Sequence, residues 1–578
     1  MIRRAVLALL GIMILPSMLL AGPTIPGFYG TIPTLRTVAP TQLPVLKPGG
    51  TVSGLSGSNP VSYTTNQLTI NQIQSKAIID WSSFDIGANA SVYFNQQGNT
   101  SWVALNRIWD NSPSQIFGQL RADGQVYLIN QNGILFGPGA QVNVHGLVAS
   151  SLYIQDNDFL NGIMHFTAQD YNGRGDNLFY GAGSGNSATP GAVSSAGVIQ
   201  TDALGSVFLI GPTVENSGVV TSFAGQIGLI AATEVQILQD PMASLRGTAK
   251  QVYVVAGPGT ATNFENGWLI ADTGLVGMYG QVVNQEGLIR SITAVQKPGY
   301  IELLASNLVS TGPNSLTSSR PSDSTETVEQ SSVFQGGTVD VGGFNQPNYD
   351  LQGNLTGFQA TAAPLIEHRG IIEAPSGTVN FRASQRAYFE TGSKVDVSGV
   401  WVDETADANL AEQQLNSVEL RDDYGQKSGL LKGLAVQFNA LYGSAIGDVS
   451  GSLTTQNVTA SQKATQGGTV TIDAGNGDVI LKDGAQILFA GGGVHHGAGQ
   501  LDTTTLLSGT KVYSISSAPE LVQYDQVMDL QTVQYQRYGI TKEFRGLFTG
   551  GANPVGQYSA AYTEGADAGS LRIAARTV

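Results

Sequence analysis

The sequence predicts an all-β chain wound as a parallel β-helix of about 20 residues per coil. Three observations predict it: glycine-led apolar units that recur in phase, the near absence of helical periodicity before about residue 404, and an unusual composition. Charged residues make up 12% of the chain, against roughly 25% in ordinary soluble domains. Glycine is abundant, at 73 residues, and Asn, Gln, Ser and Thr replace much of the missing charge. Stacked strands tolerate this composition, because uncharged polar side chains ladder from strand to strand without repulsion.

The repeats come in two kinds. One is a glycine followed by two or three apolar residues, as at Gly146, Gly197, Gly218, Gly267, Gly287 and Gly370. The other is a glycine, a polar residue and then alternating apolar positions: "GSVFLIG" from Gly205, "GQIGLIA" from Gly225, "GTVNFRA" from Gly377, "GTVTIDA" from Gly468 and "GSLRIAA" from Gly569. Gly197 to Gly218 spans 21 residues, and Gly205 to Gly225 and Gly267 to Gly287 span 20 each. Two units in phase at that period describe one coil, with strands on two or three faces and glycine where the backbone bends. A single coil cannot bury its inward Val, Leu and Ile, so neighbouring coils must stack at about 4.8 Å. Helices between strands would need a longer repeat.

Along the chain, residues 1–21 read as a signal peptide. Arg3 and Arg4 form the charged region, Ala5 to Leu20 the apolar run, and Ala21 and Gly22 the small residues for cleavage. The apolar run falls short of the roughly 20 residues needed to span a bilayer, and no later stretch predicts stable membrane insertion. Residues 22–60 are rich in Pro, Gly, Ser and Thr and form an extended lead-in or cap. The first block of coils occupies 61–290, and further repeats occupy 291–578 with insertions at 311–332, 402–432 and 511–550. The first insertion has few apolar residues and predicts a flexible excursion. The second has helix-forming composition and predicts a short helix near 404–418. The third carries Tyr513, Tyr524, Tyr535 and Tyr538, which read as packing beneath a long loop ahead of a binding surface. The last stretch, "GADAGSLRIAARTV", reads as another repeat without a polar cap. It leads to the expectation that the chain is the N-terminal part of a longer protein.

The chemistry-bearing residues form no site that the sequence exposes. The histidines are His145, His165, His368, His495 and His496, none with a carboxylate at metal-ligand spacing. Adjacent His495 and His496 would face opposite sides of a strand and cannot chelate together. Asp156 with Asp158, and Asp403 with Glu404 and Asp407, read as solvated loop charge. There is no phosphate-binding loop and no calcium nonapeptide frame, so no metal or cofactor is expected. A net charge of -15 leaves no basic face for nucleic acid. The chain has no cysteine. Either a long core needs no staples, or the chain crosses a second membrane unfolded and must not be cross-linked on the way.

The run from Trp81 to Leu152, "WSSFDIGANASVYFNQQGNTSWVALNRIWDNSPSQIFGQLRADGQVYLINQNGILFGPGAQVNVHGLVASSL", resembles the secretion domain of filamentous haemagglutinin-type exoproteins. These belong to the two-partner secretion systems of Gram-negative bacteria. The likeness is ordered: an aromatic-Asp-Ile-Gly opening, Leu105-Asn106-Arg107-Ile108, Ile116-Phe117-Gly118, then a segment matching the family's Asn-Pro-Asn-Gly-Ile motif at Asn130, Gln131, Asn132, Gly133 and Ile134. Gln131 stands where the family carries Pro. The resemblance implies a right-handed parallel β-helix, Sec export, and recognition by the periplasmic POTRA domains of a cognate outer-membrane barrel transporter. It also implies passage in the unfolded state and a secretion role for Asn130 to Ile134, with Asn106 and Arg107 in the same block.

The function expected from these observations is that of a non-enzymatic surface protein or adhesin, with a host-cell, matrix or glycan receptor. The alternatives are a β-helical enzyme acting on polysaccharide, which would need carboxylates converging in one groove, and the N-terminal stalk of a larger toxin-delivery exoprotein.

Overall fold

The computed structural model describes residues 36–578, apart from 169–189, 240–249, 296, 324–325, 421–424, 455, 529, 536–539 and 546–556. The signal segment with Ala21 and Gly22 lies outside the described residues. The chain divides into Met1–Thr37 and Val38–Val578, and the coils belong to the second unit.

Glycine recurs in phase because each coil rests on the bend of the one before it. A Cβ on Gly218 would lie 2.1 Å from the carbonyl oxygen of Gly197, and one on Gly225 would lie 2.0 Å from that of Gly205. Between these bends the strands pair in parallel register and build three faces. The first face runs through Lys76–Ser83, Val103–Ile108 and Gln125–Ile129, and later through Gln226–Ala231 and the start of Tyr300–Thr311. The second runs through Ser114–Ile116, Ile134–Phe136, Val193–Ser195, Thr213–Asn216 and Thr260–Asn263. The third runs through Gln67–Asn71, Ser91–Asn95 and Gln119–Ala122, and later through Val219–Ser222, Trp268–Ile270 and Leu288–Arg290. This is the parallel β-helix that the repeats predict. Stacking runs through residue 290 without a break, since Leu288–Arg290 pairs with Trp268–Ile270 below and Leu316–Ser318 above.

The inward positions form one continuous core from Leu55 to Val479, built mostly of Val, Ala, Ile and Leu. Outside it lies a second core. An antiparallel sheet of Met164–Thr167, Glu234–Gln239 and Lys250–Ala256 buries the outward Leu105, Tyr127, Val148, Phe208, Ile230, Tyr279 and Leu304 of the first face. At its margin Glu302, 1% exposed, accepts hydrogen bonds from Tyr279, Gln251 and Asn345. Before the first coil, Val45–Leu46 and Val52–Ser53 pair antiparallel with Lys76–Ser83.

The insertions depart from their sequence reading. The 311–332 segment is not an excursion throughout, because Leu316–Ser318 continues the third face. Its inward residue is Thr317, fully buried, so composition hides a strand. The chain leaves the coils only afterwards, and Thr327–Glu329 pairs with Asn457–Thr459. Around 404–418 the expected helix is a single 3-10 turn, Ala406–Asn409. The next residues, Leu410–Gln414, form a strand against Ala435–Asn439, so tertiary pairing overrides helical propensity. The second and third insertions share a satellite core that includes Leu415, Phe438, Leu506, Ile515 and Tyr524. Tyr513 and Tyr524 meet edge to face within it at 5.9 Å, as packing rather than as a binding surface. Tyr538 lies outside the described residues.

A polar column runs inside the second face. Ser195, Asn216, Asn263, Gln285, Thr311 and His368 stand in register and are at most 2% exposed. The amide of Asn216 donates to Asn263 Oδ1, and that of Asn263 donates to Gln285 Oε1, both at 2.9 Å. His368 ends the column. Its Nδ1 is 2.8 Å from Thr311 Oγ1 and its Nε2 is 3.2 Å from the carbonyl of Lys394, which fixes a neutral ring with Nε2 protonated. Burial lowers its pKa to about 4, below the roughly 6.5 of an unfolded histidine. The unfolded chain therefore takes the proton first as pH falls. This stability is fully present above about pH 6.5 and is lost as pH falls toward 4, up to about 3 kcal/mol in all. Urea unfolding midpoints measured across that window should fall more steeply for the wild type than for His368→Gln; parallel profiles would refute the assignment.

Candidate secretion motif

The turn between Gln125–Ile129 and Ile134–Phe136 holds the motif residues. The Gly133 amide donates to the Asn130 carbonyl at 2.9 Å, closing the four-residue turn that an Asn-x-Asn-Gly sequence favours. Within it the Asn132 amide donates to Asn130 Oδ1 at 2.9 Å. Asn130, fully buried, also reaches down one coil, donating through Nδ2 to the carbonyl of Ser112 and to Ser114 Oγ. Asn132 Nδ2 donates to the carbonyl of Asp110 at 2.7 Å. The next coil closes from above, as the Gly191 amide donates to the Gln131 carbonyl at 2.7 Å and Ile134 donates to the carbonyl of Ala192.

This clamp dictates residue type. Gly133 has φ of 105°, and a Cβ there would sit 2.4 Å from the Ala192 carbonyl oxygen. Gln131, at the departure from the family pattern, contributes a carbonyl that any residue supplies. Its side-chain Oε1 is buried without a hydrogen-bond partner among the described residues.

Asn106 and Arg107 sit one coil below, on the first face, and point opposite ways. Asn106 faces the core, fully buried, where its Oδ1 accepts from Trp81 Nε1 at 2.9 Å and its Nδ2 donates to the carbonyls of Ala104 and Tyr127. Arg107 faces outward, yet is only 8% exposed. Its Nε meets Asp80 Oδ1 at 2.7 Å and its Nη1 meets Asp156 Oδ1 at 2.6 Å. The other oxygen of Asp80 accepts from the Thr51 amide at 2.7 Å. Burial raises the pKa of Asp80, but the Thr51 amide and Arg107 outweigh it and hold the carboxyl below its ordinary range. Lys47 lies beside this group, 3.3 Å over the ring of Trp109. One cation thus ties the N-terminal cap, two coils and the helix Asp156–Asn161 together. At the far end of that helix Lys76 Nζ donates to the carbonyls of Phe159 and Leu160, which suits the negative end of the helix.

Other sequence candidates fall elsewhere. Asp156 is not solvated loop charge, because it pairs with Arg107. His495 and His496 lie on opposite sides of their strand, stacked on Trp401 at 4.6 Å and on Tyr562 at 4.3 Å respectively. Among the described residues no three His, Asp or Glu side chains converge as metal ligands, and no helix is long and apolar enough to cross a membrane. A cleft of about 390 Å³ on the third face is lined by Gln67, Ser91, Tyr93, Gln119, Arg121 and Asp123, among others. The oxygens of Asp123 are taken by Tyr93 and by the amides of Gln96 and Gly98. The residues that sequence reasoning missed are Asp80, Asp110, Ser112, Ser114 and Gly191, all partners drawn from other coils.

The clamp predicts a ranking of stabilities. Asn130→Ala should cost about 1–3 kcal/mol, since it orphans buried partners. Gly133→Val should cost at least as much, from the positive φ and the blocked carbonyl. Gln131→Pro should leave stability unchanged or raise it by roughly 0.4–1 kcal/mol. Urea midpoints of the three variants check this, and equal midpoints for Gly133→Val and wild type would contradict the clamp.

Residues 49–312 match the family described as the TPS secretion domain, which contains the whole clamp. A heme/hemopexin-binding protein of Haemophilus influenzae is 48% identical over 88 residues, or 15% of this chain and 9% of that protein. Its counterpart from a second strain of the species is 46% identical over 95 residues, 16% of this chain and 10% of that protein. The match thus covers about a tenth of the length of these curated relatives. The crystal structure of the HMW1 secretion domain from Haemophilus influenzae aligns over 76% of this chain and 97% of that one, with a TM-score of 0.46 and 20% identity. Residues 49–312, a little under half of the chain, thus match the secretion domain of two-partner secretion exoproteins.

Proposed function

We propose that a cognate outer-membrane barrel transporter, through its POTRA domains, takes up this chain while the segment from Asn106 to Ile134 is still extended. The chain then folds outside the cell, where it serves as an adhesin or surface structural protein without catalytic activity. One observation carries the reading. Asn106 and Asn130 are fully buried in the finished coils, so no partner can read their side chains from the folded surface. Their contribution to export is made either by the unfolded chain or by the coils that they allow to close. The absence of cysteine suits passage in an extended state, because no cross-link forms before translocation. The Haemophilus influenzae relatives are heme/hemopexin-binding proteins of which only about a tenth aligns here, and the receptor of this chain is a host-cell, matrix or glycan surface.

Export assays test the proposal directly. Removing the paired transporter should abolish release into the medium, and undiminished release would end the proposal. With the transporter present, Gln131→Pro should be exported normally, while Asn132→Ala and Gly133→Val should be released at a few-fold lower levels. Normal release of both disruptive variants would remove the turn from the mechanism.

A further inference from the structure

The cleft on the third face holds Arg121, a cation without an acidic partner among the described residues. The cleft opens because of one short residue. Gln67, Ser91, Gln119 and Gln141 follow one another at a single outward position, and Ser91 leaves a notch between two long carboxamides. At the next outward position the order is Thr69, Tyr93, Arg121 and Asn143. The Tyr93 hydroxyl is drawn away to Asp123 Oδ1 at 2.8 Å, and the notch stays open with a volume of about 390 Å³. It crosses four coils, about 14 Å at one strand spacing per step.

The polar groups of this cleft are unspent. On the same face Asn95 ladders onto Asn71 at 3.2 Å, but the side chains of Gln67, Ser91, Gln119 and Asn143 make no hydrogen bond among the described residues. Arg107 and Arg290 give their charge to Asp80, Asp156 and Asp272. Arg121 is exposed, and Asp123, two residues on, does not neutralise it. Both oxygens of Asp123 are taken by Tyr93 and the amides of Gln96 and Gly98. An open guanidinium fork in a chain of net charge -15 suits one carboxylate, held by two parallel N–H bonds. The lining selects the molecule that carries that carboxylate. Carboxamides and a hydroxyl around one cation match a ligand rich in hydroxyls with a single negative charge. A peptide would find no free backbone, because the strands here are paired on both sides and strand addition needs an edge. A nucleic acid or a polysulfated chain needs many cations where this cleft has one. We propose that the cleft binds a glycan segment in which one uronate lies between neutral sugars. Its carboxylate sits on Arg121, and its hydroxyls meet Gln67, Ser91, Gln119 and Asn143. The proposal rests on the adhesin reading above and narrows its receptor to an acidic glycan.

Titration calorimetry on the full secreted chain tests this with a hyaluronan hexasaccharide, in which glucuronate alternates with N-acetylglucosamine. Binding should fall about tenfold for the neutral chitin hexasaccharide and for Arg121→Gln, each of which removes one charge-assisted pair. Arg121→Lys should fall between, because lysine keeps the charge without the fork. Ser91→Tyr should abolish binding by filling the notch, with an unchanged melting midpoint because the position faces outward; if that midpoint falls, Arg121→Gln decides alone. A wild type that binds no hyaluronan overturns the proposal, as does binding indifferent to Arg121→Gln. Tighter binding of polyglutamate or heparin than of hyaluronan overturns it too. Attachment to glycan-bearing cells separates the cleft from the adhesin role. Attachment retained by Arg121→Gln strikes the cleft and leaves the adhesin, whereas hyaluronan binding by a chain that attaches to no cell keeps the cleft and ends the adhesin.

Discussion

The structure depends on one constraint: each coil must seat at one strand spacing, about 4.8 Å, above the last. Backbone hydrogen bonds set that distance, and they leave no room for a Cβ where one bend lies on another. That is why glycine recurs at bends rather than at random, and why the carbonyl of one bend points at the glycine above it. The same spacing lines up side chains of equal rank in every coil. Columns, not individual contacts, are therefore the unit in which this fold is built.

Columns make buried polar residues affordable only when each member satisfies the next. A carboxamide carries both donor and acceptor, so Asn216, Asn263 and Gln285 pass a hydrogen bond from coil to coil within the core. The ladder ends where a hydroxyl and a neutral imidazole take over, with Phe381 and Phe389 packed 5.8 Å from the ring of His368. Such a column fixes register. A slip by one residue would turn these amides outward and leave buried groups unpaired, at about 1–3 kcal/mol each.

Much of this was legible in the sequence, for a physical reason. A feature with a fixed period shows itself in one dimension, so glycine spacing gave the coil length, and the local turn chemistry of Asn130 to Gly133 gave the bend. What stayed hidden joins residues without a period. The partners of Asn130 and Asn132 are Ser112, Ser114 and Asp110, which become neighbours only after stacking. Helix-forming composition at 404–418 gave way to a ladder with Ala435–Asn439, a partner that no local signal names. On the third face Val198, Val219, Trp268, Leu288, Leu316 and Ile371 stand in register, yet insertions hide the row, because its members are 21, 49, 20, 28 and 55 residues apart.

The position of the motif within the stack gives it more weight than its few hydrogen bonds suggest. Strands Val45–Leu46 and Val52–Ser53 run antiparallel to the first-face strand Lys76–Ser83 and occupy its outer edge. An edge so covered cannot accept another strand, and stacking from there proceeds in one direction only, toward the C-terminus. Asp80, on that same strand, grips the cap through Thr51 and the next coil through Arg107. Asn106 then links to Trp81 below and to the Tyr127 carbonyl above, and Asn130 links that following coil back to Ser112 and Ser114. The conspicuous block of sequence from Trp81 to Ile134 is thus a chain of vertical ties at the closed end. It fixes the register of the first coils against the cap, and each later coil pairs with the one before it.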